Sequence, residues 1–294
     1  MTLRVPRVAA VHDISCFGRC SLTVIMPILS CMGIQVCPLP TAVLSTHLGG
    51  YNQIAFCDFT ERMPAFYQHW KQEGIGFDCI YSGFLASEEQ IDTVLHFIEE
   101  FSENKPLVLV DPVMGDEGRL YSVYTPQMQE HMKRLVGKAD IITPNFTEAC
   151  FLLGEPYTEQ GQEADVLSDW LFRLADFGPS VVVMTGIPSD GTKIMNLGYD
   201  RRSGAFWQVF SDYVPAKYPG TGDIFASILA GALLSRQTVP QAMKLAADFV
   251  AGVVKATYEA GTPSREGVLL EPALPGLGQA WAKTCTQTIR SNEG

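Results

Sequence analysis

The sequence lacks any excess of positive charge, and this limits the partners that the protein can have. Against 32 acidic residues it has 21 lysines and arginines, which gives a formal net charge of −11 at pH 7. Without a broad basic face to neutralise phosphates, nucleic acid and anionic membrane surfaces are excluded as main partners. Long hydrophobic runs are missing too, since the most apolar segment, 22–34, is too short to span a bilayer and contains Pro27. The apolar stretch after residues 1–7 is interrupted by His12 and Asp13, so we predict no secretory signal and expect a cytoplasmic protein.

The sequence also lacks closely spaced cysteine pairs. None of the eight cysteines stands in a CxxC pair, and Cys16 and Cys20 have no nearby histidine and cysteine set that completes a zinc tetrad. We therefore expect reduced, mostly buried thiols, which suits a cytoplasmic protein. The cysteines are at positions 16, 20, 31, 37, 57, 79, 150 and 285.

Several catalytic signatures are also missing. There is no GxxxxGKS/T phosphate loop, and no protein-kinase glycine loop with its downstream HRD and DFG runs. There is no GxSxG elbow of a hydrolase, and no GxGxxG turn after the first predicted strand that would bind a dinucleotide. A phosphoryl transferase with this sequence needs a different framework.

What the sequence does have is a regular alternation of strand-like and helix-like segments joined by short connections. This alternation predicts an α/β protein with a mainly parallel sheet covered on both faces. No composition shift, Pro/Ser-rich linker, charge run or internal repeat marks a boundary, so we expect a single domain over residues 1–294. The last two predicted strands have no helix between them, and we expect them at an antiparallel edge of the sheet. Predicted strands cover 7–14, 35–44, 78–84, 107–110, 139–143, 180–185, 193–199 and 205–210, and predicted helices cover 21–32, 59–72, 88–101, 126–136, 147–153, 165–177, 223–235 and 239–258.

The most informative stretch is the tetrad Gly220-Thr221-Gly222-Asp223, which precedes an apolar segment of helical periodicity. The two glycines allow a tight turn and let backbone N–H groups approach an anion closely. A helix N-terminus offers unsatisfied N–H donors and partial positive charge, and both suit a phosphate. Asp223 would lie beside such a cradle as a candidate base, which favours phosphoryl transfer to a hydroxyl group. The alternative is an ordinary helix cap, since an aspartate at a helix start also complements the helix dipole.

Polar residues follow other predicted strands as well, at the sheet edge where open α/β folds bind ligands. Asp111 and Asp116, in the run DPVMGD, suit a Mg²⁺ site, directly or through water, whereas turn-forming aspartates near Pro and Gly are the alternative. Asn145 and Glu148 lie three residues apart in the first turn of a helix, where they could orient Mg²⁺-bound water and phosphate oxygens. The same two residues fit a capping box equally well, with Asn145 as N-cap and Glu148 reaching back.

Two further sets complete this edge of the predicted sheet. Thr185, followed by glycine, can bond a phosphate oxygen, although a plain strand-to-turn transition explains it equally well. The first two strands end near Asp13, Thr41 and His47, which could shape a pocket for a small polar substrate. For a lone histidine a structural role is the more common one.

In this order, the motifs resemble those of the ribokinase superfamily and, within it, the pyridoxal (vitamin B6) kinases. The resemblance covers roughly residues 8 to 260. The GTGD element is shared by the whole superfamily, whereas the DPVMGD run is narrower and also occurs in hydroxymethylpyrimidine kinases. The matching pieces are DPVMGD with Gly118 and Tyr121 downstream, ITPNFTEA over 142–149, GTGD over 220–223, YSGFL over 81–85 and TAVLSTH over 41–47.

The resemblance implies a three-layer α/β/α, ribokinase-like fold and transfer of the γ-phosphate of ATP to the 5-hydroxymethyl group of pyridoxal, pyridoxine or pyridoxamine. It makes Asp223 the catalytic base and gives the amides of Gly220, Thr221 and Gly222 the role of an anion hole. It further implies a homodimer and leaves room for a monovalent cation besides Mg²⁺. The residues implied to bind ATP are Asp111, Asp116, Tyr121, Asn145, Glu148 and Thr185, with Asp111 and Glu148 also serving Mg²⁺, and those implied to face the substrate are Asp13, Thr41, His47 and Phe84.

The chain departs from the family pattern around the substrate. Asp13 stands where these kinases usually have serine, Phe84 lacks the usual hydroxyl, and the run 15–20 differs from the family's valine- and aromatic-containing one. The GSDSGGGAG start of the hydroxymethylpyrimidine kinases is absent, which favours a B6 vitamer. The alternatives are a kinase for another hydroxymethyl heterocycle or a sugar, and a nucleotide- or vitamin-binding protein without turnover. Retention of Asp223 with both glycines argues against the last of these.

Overall fold

The computed structural model describes residues 4–189, 191–279 and 281, so Cys285 and the rest of the chain beyond 281 lie outside the described residues. Its elements follow the predicted alternation of strands and helices. The strands are β1 (Arg7–Ser15), β2 (Gln35–Leu44), β3 (Phe56–Asp58), β4 (Cys79–Ser82), β5 (Leu107–Val110), β6 (Gly115–Asp116), β7 (Arg119–Leu120), β8 (Ile141–Ile142), β9 (Val181–Ser189), β10 (Lys193–Asp200) and β11 (Ala205–Asp212). The helices are α1 (Leu22–Cys31), α2 (Met63–Gln72), α3 (Glu88–Glu100), α4 (Pro126–Val136), α5 (Phe146–Leu153), α6 (Ala164–Asp176), α7 (Thr221–Leu234) and α8 (Val239–Glu259).

The described strands, apart from the small hairpin β6–β7, form one sheet. Its order is β11-β10-β9-β8-β5-β4-β1-β2-β3. The strands from β9 to β2 run parallel, whereas β3, β10 and β11 pair antiparallel at the two edges. The prediction of a mainly parallel sheet with the last two strands at an antiparallel edge is confirmed. All parallel strands therefore end at the same edge, where ligands bind in such folds.

Helices cover both faces of the sheet and bury a separate apolar core on each. On one face α2 to α6 pack over the sheet with buried side chains such as Ile91 and Leu171, and on the other α1, α7 and α8 pack with Ile25 and Ile228. The central strands are apolar on both sides for this reason, as in β5. The expected three-layer α/β/α fold is confirmed. Within the described residues, none of the helices is long and apolar enough to cross a membrane.

Some elements differ from the prediction, each for a local reason. The alternation does not predict β3 or the hairpin β6–β7, because these strands are only two or three residues long and bury little apolar surface. The helix predicted over 59–72 begins only at Met63, because the N–H of Thr60 donates to the carboxylate of Asp58 and the segment 59–62 forms a turn. The strand predicted over 139–143 shortens to Ile141–Ile142, whereas β9 continues beyond 185 to pair with β10.

Candidate active site

The predicted site residues gather at the edge where the parallel strands end. Asp13 lies near the end of β1, Asp111 directly follows β5, and Asn145 follows β8. Two contacts show that neighbouring strands bring them together: Asn145 forms an isolated parallel bridge with Thr185, and its side-chain amide donates to the carbonyl of Gly115, 2.9 Å away. The site is thus assembled from loops that are distant in sequence.

The tetrad forms the start of α7, as predicted. Gly220 is the N-cap with a left-handed φ of 83°, and a Cβ on it would lie 2.1 Å from the carbonyl oxygen of Arg19, so only glycine fits. Gly222 is different, since a Cβ there would meet, within the described part of the chain, only a carboxylate oxygen of Asp111, at 3.8 Å. The hydroxyl of Thr221 donates to the carbonyl of Tyr218, 3.2 Å away. No side chain of the described residues caps α7, so its first N–H groups stay available to an anion.

Asp223, the third residue of α7, points back across the tetrad. Its Oδ2 accepts a hydrogen bond of 2.8 Å from the backbone N–H of Ser21, at the start of α1. Burial of the carboxylate raises the pKa of Asp223 to about 7, and the charge of Asp13 adds to the effect while the Ser21 bond opposes it. A pKa close to neutral is what a general base needs, because the group is deprotonated yet still basic.

Asp111 lies beside Asp223 and repels it. Its side chain is buried, and its Oδ1 accepts a hydrogen bond of 3.0 Å from the hydroxyl of Thr143. Burial, and then the charge of Asp223, raise the pKa of Asp111. Two buried carboxylates whose charges interact mark a place where positive charge would be stabilised.

Asn145 and Glu148 form the capping box that was the alternative reading of these residues. The Asn145 side chain accepts a bond of 2.8 Å from the Glu148 N–H, and Glu148 accepts one of 2.8 Å from the Asn145 N–H. The other oxygen of Glu148 accepts from the N–H of Met114 at 3.1 Å. Burial and the charge of Asp111 raise the pKa of Glu148. Its carboxylate thus interacts with Asp111, which in turn interacts with Asp223, and these three acids are called the acidic centre below. Capping therefore does not remove Glu148 from the site, but it uses one of its oxygens, and the Met114 bond uses the other.

The remaining nucleotide-side candidates are more open. Asp116 is exposed on β6, and Tyr121, 42% exposed, packs edge-on against Phe84 with ring centroids 6.4 Å apart. Thr185 is half-buried, and its backbone N–H donates to Pro144 at 2.9 Å. Phe84, a substrate-side candidate, is half-buried, so part of its ring stays accessible. Its neighbour Tyr121 is a nucleotide-side candidate.

The other substrate-side candidates have their polar atoms engaged within the protein. Asp13 accepts from the hydroxyls of Ser21, at 2.6 Å, and Ser15, at 2.9 Å. His47 donates from Nε2 to the carbonyl of Arg265 at 2.6 Å, and its Nδ1 accepts from the Gly49 N–H at 3.1 Å, so both ring nitrogens are engaged. Thr41 is buried, and its carbonyl accepts from the Gln90 side chain at 3.1 Å. Their direct contact with a substrate stays a prediction.

Ser21 is the residue of this site that sequence reasoning misses. It links Asp13 to Asp223, but no motif includes it, and a serine before an apolar helix predicts only an ordinary N-cap. The signal is conformational: Ser21 has a φ of 51°, uncommon for a residue with a side chain.

The acidic centre fits a magnesium ion by the chemistry of its donors. Among the described residues no group of three or more His, Cys, Asp or Glu side chains could hold a metal. Mg²⁺ does not need such a cage, because it usually keeps several waters and binds through one or two carboxylates plus phosphate oxygens. Asp111 and Glu148, both buried and both with raised pKa, fit that pattern.

Comparison with known proteins points to one family. The family model described as phosphomethylpyrimidine kinase matches residues 69–267. Among curated relatives, the pyridoxal kinase of Arabidopsis thaliana is 31% identical over 223 residues, 69% of this chain and 66% of that protein. The chain thus matches just under two thirds of the length of that relative.

Solved structures agree with the fold. A proposed phosphomethylpyrimidine kinase from Bacteroides thetaiotaomicron is 44% identical with a TM-score of 0.90, over 94% of this chain and 95% of that one. The same protein was also solved in a form with pyridoxal, at a TM-score of 0.89, 44% identity and coverages of 93% and 96%. Pyridoxal kinase from Lactobacillus plantarum is 29% identical with a TM-score of 0.85, over 93% and 97% of the two chains.

Proposed function

The chain belongs to the phosphomethylpyrimidine kinase family, and within it we propose a vitamin B6 kinase that phosphorylates the 5-hydroxymethyl group of pyridoxal, pyridoxine or pyridoxamine with ATP. The observation that carries the proposal is the carboxylate of Asp223, held beside an uncapped helix start with its pKa raised to about 7. The pyridoxal kinases among the relatives, and the pyridoxal bound to the Bacteroides protein, support the vitamin as acceptor.

Asp223 would take the proton from the substrate hydroxyl as its oxygen attacks the γ-phosphorus. The N–H groups at the start of α7 would stabilise the charge on the transferred phosphoryl oxygens, with no side chain at Gly222 to obstruct them. The loose transition state of phosphoryl transfer needs little covalent help, so position and charge provide most of the acceleration.

Asp111 and Glu148 would hold Mg²⁺ mainly through water, because the oxygens of Glu148 already accept two backbone bonds. When bound, the ion offsets negative charge on the phosphates and on the acidic centre. Asp116, Tyr121 and Thr185 would line the nucleotide side. Asn145 would act by holding the β6–β7 hairpin through Gly115. A monovalent cation would add further compensation for the same charge.

On the substrate side, Phe84 would contact the face of the pyridine ring, since it is the candidate with accessible surface. Thr41 and His47 would form the wall behind the ring. Both are buried, with 1% and 7% of their surface exposed.

We further propose that the protein works as a single-domain homodimer in the cytoplasm. The seven described cysteines are free, as expected for a reducing compartment. Light scattering of the purified protein tests this proposal, since a dimer has twice the mass of the 32.3 kDa chain.

A substrate panel tests the proposed activity. With ATP and Mg²⁺, pyridoxal, pyridoxine, pyridoxamine, hydroxymethylpyrimidine and ribose are offered in turn, with Asp223→Asn as the inactive control. We expect the highest kcat/KM for a B6 vitamer. The description of the family favours hydroxymethylpyrimidine as the second candidate, and preference for it would overturn the assignment. Nucleotide binding without turnover of any acceptor would indicate a binding protein instead.

A further inference from the structure

Ser21 connects two carboxylates of the site that belong to different elements. Its backbone N–H donates to Oδ2 of Asp223 on α7, at 2.8 Å, and its hydroxyl donates to Oδ1 of Asp13 on β1, at 2.6 Å. Ser21 itself is the N-cap of α1. One residue between β1 and α1 therefore links the end of β1 to the third residue of α7.

The backbone conformation of Ser21 is not the one that its local sequence favours. Its backbone has φ 51° and ψ −138°, a region that residues with a side chain rarely occupy. An N-cap serine ordinarily accepts a bond from an N–H of its own helix, yet within the described residues α1 has no such side-chain bond. The hydroxyl donates to Asp13 instead.

The backbone before Ser21 is held against the tetrad from the other side. A Cβ on Gly220 would lie 2.1 Å from the carbonyl oxygen of Arg19 and 2.9 Å from the Cα of Cys20. Arg19 is in turn fixed by its side-chain bonds of 2.9 Å to Glu271. The segment 19–21 is thus packed between the anion cradle and the C-terminal region, so the direction of the Ser21 N–H is set by tertiary contacts.

We propose that Asp13 and Ser21 are positioning residues for the catalytic base: Asp13 holds the Ser21 hydroxyl, and the Ser21 N–H fixes the carboxylate of Asp223. The inference rests on the proposed function and deepens it. Both oxygens of Asp13 already accept a hydroxyl bond and its side chain is 4% exposed, so little of it is left for a substrate. It also gives a role to the aspartate that stands where the resembled kinases have serine: it acts on the base through Ser21, not on the ring.

The test separates two properties of Asp13: the hydrogen bond that it accepts from the Ser21 hydroxyl, here called the tether, and its negative charge. Asp13→Ala removes the acceptor, and Asp13→Asn keeps an oxygen for the Ser21 hydroxyl. Ser21→Gly keeps the N–H and permits the positive φ but loses the tether. Ser15→Ala is the matched control, since it removes the other hydroxyl bond to Asp13 and leaves the link to Asp223 in place. The measurements are kcat and KM for pyridoxal, the Kd of a non-hydrolysable ATP analogue, the melting temperature, and hydrogen exchange of the residue 21 amide.

We expect Asp13→Ala and Ser21→Gly each to lower kcat by about 10- to 100-fold, with KM and the analogue Kd within about threefold of wild type. Asp13→Asn should restore kcat to within about threefold, and Ser15→Ala should stay in that range. The double variant Asp13→Ala/Ser21→Gly should lose no more than either single one, because both act through one bond. Ser21→Gly should not lower the melting temperature, which separates positioning from a merely structural role.

A rise in KM with unchanged kcat in Asp13→Ala would overturn the proposal and make Asp13 a substrate contact. Additive losses in the double variant would overturn it as well. Hydrogen exchange gives a readout that needs no turnover: the residue 21 amide should exchange at least about tenfold faster in Asp13→Ala than in wild type or Asp13→Asn. If wild type phosphorylates no vitamer, the proposed function fails, but this exchange result still decides whether Asp13 holds Ser21 on Asp223. Unchanged exchange in Asp13→Ala would refute the link itself.

Discussion

The starts of α5 and α7 carry an acid at the same helical position and use it in opposite ways. Glu148 and Asp223 are each the third residue of a helix that begins at the binding edge of the sheet. Glu148 completes a capping box with Asn145 and accepts a further backbone bond. Asp223 makes no bond to its own helix start in the described residues, and its Oδ2 accepts from Ser21, on another element.

The difference shows what separates a structural acid from a reactive one. Both oxygens of Glu148 accept backbone N–H bonds, so its carboxylate is fixed by the fold even though burial raises its pKa. Asp223 retains free acceptor capacity beside uncapped N–H groups, and burial holds its pKa at about 7. Glu148 influences the site through its charge, and Asp223 is in a position to act on a substrate proton.

The largest effect is expected from Asp223→Asn, which keeps the shape but removes the base. We predict that kcat for pyridoxal falls by about 10²- to 10⁴-fold, since general base catalysis contributes that much. The Kd of an ATP analogue should change little, because a base acts in the transition state. Steady-state kinetics and calorimetric titration check this, and near-normal turnover would show that the two helix starts do not differ as described.

Alanine substitutions at the two glycines of the tetrad should have different effects, one on activity and the other on folding. Gly222→Ala adds a Cβ where, among the described residues, only Asp111 lies within contact, at 3.8 Å, so we expect a folded protein whose kcat falls on the order of 10²-fold because the anion cradle is obstructed. Gly220→Ala puts a Cβ 2.1 Å from the Arg19 carbonyl at a φ of 83°, so here folding itself should fail. Circular dichroism and kinetics of both variants distinguish these outcomes. Equal behaviour of the two would contradict the cradle.

At α5 the cap and the charge can be separated. Glu148→Gln keeps one oxygen for the Asn145 N–H, so the cap can persist while the charge and the Met114 bond are lost. We expect about a tenfold rise in the Mg²⁺ concentration needed for half-maximal activity of the folded variant. Asn145→Ala should instead lower the free energy of unfolding by about 1 kcal/mol through loss of the cap. Unchanged Mg²⁺ dependence in Glu148→Gln would leave Glu148 a structural acid only.

The smallest effect concerns stability. Because folding raises the pKa of Asp223 from 3.8 to about 7, the folded state keeps a proton that the unfolded chain loses. The free energy of unfolding should therefore fall as pH rises between about 4 and 7. Asp223→Asn removes this loss and should be more stable than wild type at pH 8, with no gain at pH 4. Urea denaturation at both pH values measures it, and a stability gain independent of pH would point to another cause.

Sequence reasoning predicts most of this arrangement. The alternation of strands and helices gives the parallel sheet, and the tetrad is at the start of a helix as predicted. The letters at 145–148 leave capping and function open, because both need the same residues at the same spacing. Only the hydrogen bonds of the fold show that Asn145 and Glu148 cap the helix.

Features set by tertiary contacts could not be predicted. The sequence predicts Ser21 as the first residue of a helix, and neither its positive φ nor its bonds to Asp13 and Asp223 could be predicted from that. The resemblance assigns His47 to the substrate side but does not predict that its Nε2 bonds to the carbonyl of Arg265, over 200 residues away in the chain. Such links depend on how loops meet at the sheet edge.

The central claim is that, of the two acids at these helix starts, only Asp223 accepts the substrate proton. The most direct measurement is kcat/KM for pyridoxal between pH 5 and pH 9, in wild type and in Glu148→Gln. We predict that kcat/KM falls on the acid side, with a midpoint near the pKa of about 7, as Asp223 takes up a proton, and that Glu148→Gln keeps this limb. A limb that disappears in Glu148→Gln would assign the proton acceptor to Glu148 and contradict the account.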